Sequence, residues 1–260
     1  METKYPIILV HGIAVKDVAF VKSFGRIDKI LQGEGFTVYK SKTDSFGCIE
    51  DNGETLKKEI TKIVEETGCE KVNIIAHSKG GLDSIYMIEK LGMEKYVASL
   101  TTLCTPHKGS PIASWILRLP RWLLRIVAFF VNFFYRILGD KHPDALRVCE
   151  QLKRSGSIEK KTLNVKADIY VQSYSASMKK TRDDFIMGVP LLVSHYSERV
   201  VDSDGLVPED STKFGEYKGE AIQDSISHAE IIDFTVNKKK KEKVYAFYSS
   251  VCKSLKDRGL

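Results

Sequence analysis

One serine in this chain sits among residues of the size and spacing that nucleophilic chemistry requires. Ala76-His77-Ser78-Lys79-Gly80-Gly81 lies between a continuous apolar run and a helical pattern. It is a variant of the G-x-S-x-G elbow, with alanine at the first small position. Such a strand-to-helix turn exposes the serine Oγ in strained geometry. Bulk two residues before or after it would collide with the strand and the helix. The chemistry implied is attack on an acyl carbon. A serine that only caps the next helix would also account for Ser78, but for neither Gly80 nor Gly81.

Acyl transfer develops negative charge on the carbonyl oxygen, so fixed N–H donors must face it. The residue after the nucleophile, Lys79, offers one backbone N–H. The loop His11-Gly12-Ile13 offers the second at Ile13, because Gly12 lets the backbone pass close. His11 reads as a buried residue holding this loop, with a catalytic role as the alternative. Of the six histidines, His11 and His77 belong to these motifs, His107 and His142 accompany prolines, and His195 precedes the acids. The order nucleophile, acid, histidine leaves His228 as general base. The preceding segment Val200 to Pro208 offers two acids. Asp204 is preferred because Gly205 permits the turn that aims its carboxylate; Asp202 is the alternative. The acid would hold the Nδ1–H tautomer and stabilise the imidazolium.

Alternating elements must position these groups. Ile7–Val10, Thr37–Tyr39, Val72–Ala76, Val97–Leu103, Ala167–Gln172 and Arg199–Val201 read as strands. Val18–Leu31, Glu54–Glu66 and Leu82–Leu91 read as helices, with Gly33, Gly35 and Gly68 as stops. The alternation predicts a mostly parallel sheet with helices on both faces, its reactive groups gathered at the strands' carboxyl ends. No repeat or linker divides residues 1–260, which read as one domain.

The combination of Tyr5-Pro-Ile-Ile-Leu-Val-His-Gly12, the elbow, Thr105-Pro-His-Lys-Gly-Ser110, Asp204-Gly-Leu-Val207 and Ser227-His-Ala-Glu230 resembles the bacterial triacylglycerol lipases of the α/β-hydrolase superfamily, from Tyr5 to about Phe234. The resemblance implies an α/β-hydrolase fold, carboxylic ester hydrolysis, a Ser78–Asp204–His228 triad, oxyanion donors at Ile13 and Lys79, and a mobile lid inserted at about 107–160. Catalysis would need no cofactor. Many such lipases carry a structural calcium near the catalytic histidine, bound by two aspartates. Here Glu230 stands two residues after His228, with Asp183 or Asp184 as the other candidate ligand. An acyltransferase or thioesterase on the same triad, or a non-catalytic lipid-binding protein, are the alternative functions.

Trp115 to Leu138 is the most unusual segment. Arg118, Arg125, Asn132 and Arg136 form a narrow polar stripe, and the rest, Arg121 apart, is apolar, including Trp122, Phe129, Phe130, Phe133 and Phe134. Pro120 fits a first turn and Gly139 a stop. The readings are a membrane span, which the arginines oppose, a buried core helix, or a favoured lid helix. As a lid over an acyl-binding cleft, with Trp115, Trp122, Phe129, Phe130 and Phe133 as substrate-facing residues, it would make transient contact with a lipid interface and favour medium or long acyl chains.

Composition agrees with a globular chain: 43% hydrophobic, 28% charged and a net charge of +6. The run Lys238-Lys239-Lys240-Lys241 reads as a solvated helix start or loop, and nothing points to nucleic acid. Five scattered cysteines suggest neither a disulfide framework nor a zinc site. The chain as written shows no signal peptide, which predicts a cytoplasmic location, or a secreted one if a leader has been removed.

Overall fold

Short apolar runs that bury both faces build the centre of the molecule. In β1 (Ile7–Val10), Ile7 and Leu9 point to one side of the sheet while Ile8 and Val10 point to the other. The computed structural model describes residues 2–13, 17, 22–154, 169–198 and 202–260. Its sheet has six strands, all parallel: β1, β2 (Val38–Lys40), β3 (Val72–His77), β4 (Val97–Leu103), β5 (Tyr170–Ser175) and β6 (Glu216–Glu220), in the order β2-β1-β3-β4-β5-β6.

The chain leaves β1 toward β2 on one side and returns to β3 on the other. The carboxyl ends of β1 and β3 therefore lie at the topological switch point, where α/β sheets leave a crevice. Helices α1 (Ile27–Gly33) and α9 (Lys238–Asp257) cover one face, packing Ile27, Leu31, Val244, Phe247 and Tyr248 against Ile7 and Leu9. Helices α2 (Ile49–Thr67) and α3 (Lys79–Lys90) cover the other, packing Leu56, Ile60, Ile85 and Ile88 against Ile8, Val10 and Ile74. The stop at Gly68 is a left-handed C-cap, φ +70°.

Several expectations need correction. Helix α2 starts at Ile49, five residues before the expected Glu54, and α3 starts directly behind Ser78. Strand β5 extends to Ser175, beyond the expected Gln172; positions 167 and 168 lie outside the described residues. So do positions 199–201, where a strand was expected, and 18–21 of the expected first helix. The strand before His228 is β6 instead. Its sequence, Glu-Tyr-Lys-Gly-Glu, is half exposed at the sheet edge and carries no apolar alternation.

Between β4 and β5 the chain forms α4 (Pro111–Ile116), α5 (Arg121–Ile137) and α6 (Ala145–Gln151). The helix expected between Pro120 and Gly139 is α5, and α4 precedes it. Pro120, extended at ψ 133°, serves as N-cap of α5, and Gly139 at φ +96° ends it. Between β5 and β6 lie α7 (Phe185–Glu198), which packs on α4, and the short α8 (Glu209–Thr212). Among the described residues no helix is long and apolar enough to cross a membrane.

Candidate active site

Ser78 stands in the gap between β3 and α3 with φ +54° and ψ −132°, a conformation that L-residues adopt only under constraint. Its N–H bonds the Leu103 carbonyl at 2.9 Å, and its carbonyl accepts from Gly81 N–H at 3.0 Å, so both flanks of the turn are tied down. The small neighbours are sterically required. A Cβ on Gly80 would lie 2.5 Å from the His11 carbonyl oxygen, and one on Gly81 would lie 2.2 Å from Thr105 Oγ1. Across the crevice, a Cβ on Gly12 would lie 2.6 Å from Ser78 Cβ and 3.1 Å from its Oγ. The β1 loop therefore passes against the nucleophile candidate.

That contact brings the β1 loop, which continues into Ile13, to the elbow, where Lys79 follows Ser78. Ile13 N–H has no acceptor among the described residues. Lys79 opens α3, where the helix has no preceding carbonyl to offer its N–H. His11 acts as a brace: it is buried, with Nδ1 2.9 Å from the Gly12 carbonyl and Nε2 3.3 Å from Thr43 Oγ1. Burial lowers its pKa, which keeps it neutral.

Asp204 and His228 meet directly. His228 Nδ1 lies 2.6 Å from Asp204 Oδ2, and His228 N–H bonds the Asp204 carbonyl at 2.9 Å. The second carboxylate oxygen accepts from Leu206 N–H at 2.9 Å and Val207 N–H at 2.8 Å, in a turn that Gly205 closes at φ +107°. The carboxylate is fully buried and each of its oxygens has a hydrogen-bond partner. Asp202 is exposed. The His228 ring packs on that of His77, centroids 4.5 Å apart, which sets it beside the elbow. Among the described residues Ser78 Oγ has no hydrogen bond, a common state of such a pair before substrate arrives.

His107 is a structural residue: it stacks on Phe214 at 4.3 Å, reaches Thr102, and burial lowers its pKa to about 3. Two contributors were not foreseen. The Lys79 side chain is buried, its ammonium 2.7 and 2.8 Å from the Asp83 oxygens, and Asn52 donates to the same carboxylate at 2.9 Å. Burial pushes the Asp83 carboxyl up to about 6 against the pull of Lys79. The i,i+4 spacing of Lys79 and Asp83 was the available signal. Cys104, at φ +51° just after β4, brings its Sγ within 4.8 Å of the Asp204 and His228 ligand atoms. This is the one His/Cys/Asp/Glu group of three or more among the described residues that could hold a metal, and two of its members, Asp204 and His228, belong to the candidate triad. Burial raises the thiol well above its ordinary range, so it stays protonated.

The order strand, elbow, acid and histidine on a parallel sheet has a counterpart among known families: a model of the alpha/beta hydrolase fold matches residues 5–157. The chain belongs to the α/β-hydrolase family. A triacylglycerol lipase of Pseudarthrobacter phenanthrenivorans is 35% identical over 163 residues, 58% of this α/β-hydrolase chain and 50% of the relative. Triacylglycerol lipase 2 of Saccharomyces cerevisiae is 30% identical over 223 residues, 80% of this chain and 61% of the relative. The chain spans about half the length of its bacterial relative. A Bacillus licheniformis lipase in mature form superposes with a TM-score of 0.69 at 20% identity, over 96% of this chain and 92% of that one. A metagenomic carboxyl esterase does so with 0.74 at 14% identity, over 98% and 76%. Both likenesses support the α/β-hydrolase fold.

Helix α5 differs from expectation. It packs on α6 through a stripe at Leu124, Ala128, Val131, Tyr135 and Leu138, with Tyr135 against Phe46 at 4.5 Å. Asn132, expected on an outer polar stripe, faces inward and accepts from Ala145 N–H at 2.8 Å. Arg125 lines a cavity of about 560 Å³ with Leu117, Leu146 and Glu150. The aromatic face is turned outward: Trp122 and Phe129 are each 65% exposed, and Trp115, Phe130, Phe133 and Phe134 are exposed too. Helix α7, unforeseen in the sequence, adds exposed Phe185, Ile186, Val189 and Tyr196.

Two substitutions test this geometry. Asp83→Leu leaves the Lys79 ammonium buried without its partner and is expected to cost about 3–5 kcal/mol in urea unfolding, most of it recovered by adding Lys79→Met. Gly12→Ala is expected to slow covalent labelling of Ser78 by a fluorophosphonate about 10²-fold, with an unchanged circular-dichroism spectrum. Wild-type labelling in that variant would show that the close approach at Gly12 does not matter.

Proposed function

We propose that this chain is a serine-dependent carboxylic ester hydrolase acting on lipid or acyl esters through an acyl-enzyme on Ser78. The observation that carries this reading is the constrained Ser78 at the switch point, with the Asp204–His228 pair, 2.6 Å apart, held beside it. In the proposed cycle Ser78 Oγ attacks the ester carbonyl carbon while His228 Nε2 takes its proton. Asp204 holds the Nδ1–H tautomer and stabilises the imidazolium. The N–H groups of Ile13 and Lys79 bind the oxyanion, and His228 protonates the departing alcohol. Water, deprotonated by the same imidazole, then releases the acid and frees Ser78.

The lipid or acyl substrate class draws support from the triacylglycerol lipases among its relatives and from the outward aromatic face of α5. Contiguous exposed apolar faces on soluble proteins mark interaction surfaces. Trp115, Trp122, Phe129, Phe130 and Phe133 suit transient contact with a lipid interface, with Arg118, Arg121, Arg125 and Arg136 beside them. The segment between β4 and β5 acts in this reading as a lid-like insertion that brings the site to the lipid and favours medium or long chains.

Hydrolysis of p-nitrophenyl esters from acetyl to palmitoyl checks both parts of the reading. Activity is expected to rise toward the longer chains, and Ser78→Ala is expected to reduce it by about 10⁴-fold or more. A wild type inert to every ester and to a fluorophosphonate would instead favour a lipid-binding protein. Separately, the triple variant Phe129→Ser, Phe130→Ser, Phe133→Ser is expected to lose cosedimentation with phospholipid vesicles while keeping its turnover of p-nitrophenyl butyrate. Undiminished vesicle binding would remove α5 from the lipid contact.

A further inference from the structure

The lysine run opening α9 is electrostatically misplaced on its own account. Four consecutive ammonium groups stand at a helix N-terminus, the end that favours anions. The structure gives the run a different setting from the solvated face that its composition suggests. Lys240 is largely buried, with its ammonium 2.6 Å from Glu230 Oε2. Lys241 lies 3.7 Å from the buried Asp233, and Lys243 lies 2.6 Å from Asp224. All three acids belong to the segment that carries His228.

Glu230 is the centre of this arrangement. Its Oε2 also accepts from Ser227 N–H at 3.1 Å, while Glu230 N–H bonds Ser227 Oγ at 3.2 Å and Oε1 accepts from Thr235 Oγ1 at 3.0 Å. Glu230 and Ser227 thus close a reciprocal pair of hydrogen bonds around His228. Ser227 Oγ also donates to Asp184 Oδ2 at 2.5 Å, and the other Asp184 oxygen accepts from Ile186 and Met187 N–H. Asp183 is engaged by Ser225 Oγ and Lys180 N–H.

These contacts bear on the structural calcium that the resemblance implied at Glu230 with Asp183 or Asp184. A calcium ion takes six to eight oxygen ligands. Here both carboxylate oxygens of Glu230 and of Asp184, and one of Asp183, are engaged by hydroxyl, amide and ammonium donors, and a positive charge already sits against Glu230. The residues do not fit the ion.

We propose that the start of α9 is a clamp on the catalytic-histidine loop, in which the Lys240 ammonium, paired with Glu230, holds the loop in the way a divalent cation would. Lys240 and Glu230 are then positioning residues that act through Ser227 on the orientation of His228. The proposal rests on the reading of His228 as general base.

The test compares kcat and KM for p-nitrophenyl butyrate, together with thermal midpoints, in wild type, Lys240→Met, Lys240→Arg and Glu230→Gln, each with EDTA and with added calcium. Lys240→Met is expected to lower kcat about tenfold or more, as misplacement of a catalytic group does, with KM changed less than about twofold. Lys240→Arg is expected to restore most of the loss, and chelator and calcium are expected to leave the wild type unchanged. If Lys240→Met does not fold, Glu230→Gln serves in its place, since it keeps an acceptor for Ser227 N–H and Thr235 but loses the charge. A kcat equal to wild type in the Met and Gln variants overturns the clamp. Loss of wild-type activity in EDTA, restored by calcium, overturns it as well. A wild type inert to both ester and fluorophosphonate overturns the ester-hydrolase reading and, with it, the role given to His228.

Discussion

The approach of two backbone segments at the sheet's switch point is the constraint on which the rest of the site depends. The β1 loop at Gly12 and the elbow at Ser78 are so close that an added Cβ would stand 2.6 Å from the serine's own. Gly80 is held as tightly under the His11 carbonyl. This crowding has a geometric product: it brings the β1 loop, which continues into Ile13, against the elbow, which continues into Lys79 and α3. A strained residue persists only where its surroundings over-determine it. Here the Leu103 carbonyl, Gly81 N–H and the packed glycines supply that over-determination.

Two buried charge arrangements flank this contact, and they solve the desolvation problem in different ways. Asp204 is met by hydrogen bonds, from Leu206 and Val207 N–H and at His228 Nδ1. Asp83 is met by the full charge of Lys79, yet its carboxyl still lies near 6. That contrast follows from cost. A buried ion pair desolvates both partners, and the attraction recovers only part of the loss. What the Lys79–Asp83 pair supplies is rigidity: it spans the first turn of α3, the turn that directly follows Ser78.

The parts legible in the sequence were those with local physical signatures. Continuous apolar runs announced β1, β3 and β4, since strands buried on both faces need them. The Ala76-to-Gly81 pattern announced the elbow because steric exclusion leaves few residue types there. Asp204 was preferred over Asp202 on the strength of Gly205, whose φ of +107° bears out the turn argument. What escaped was set by tertiary context. Strand β6 draws its pairing from β5 and needs no apolar pattern of its own. The Lys79–Asp83 pair was visible as a spacing, but its burial was not. The direction of α5 escaped because both of its faces are apolar enough to serve as the inner one. The choice was made by Asn132, which finds the free Ala145 N–H on α6.

The net charge of +6 takes on a different meaning once its placement is known. Three of the lysines at the start of α9 face acids of the His228 segment, so the uncompensated excess lies elsewhere. The segment from Pro111 to Gly139 contains four arginines and no acidic residue. Its arginines are all exposed, and none has an ion-pair partner among the described residues. Uncompensated positive charge is therefore concentrated beside the exposed aromatics. Guanidinium is weakly hydrated and binds phosphate-like oxygens in a fork. The exposed arginines beside the aromatics of α5 therefore suit an anionic lipid surface in the proposed reading, whereas the lysines at the start of α9 are engaged by acids of the segment that carries His228.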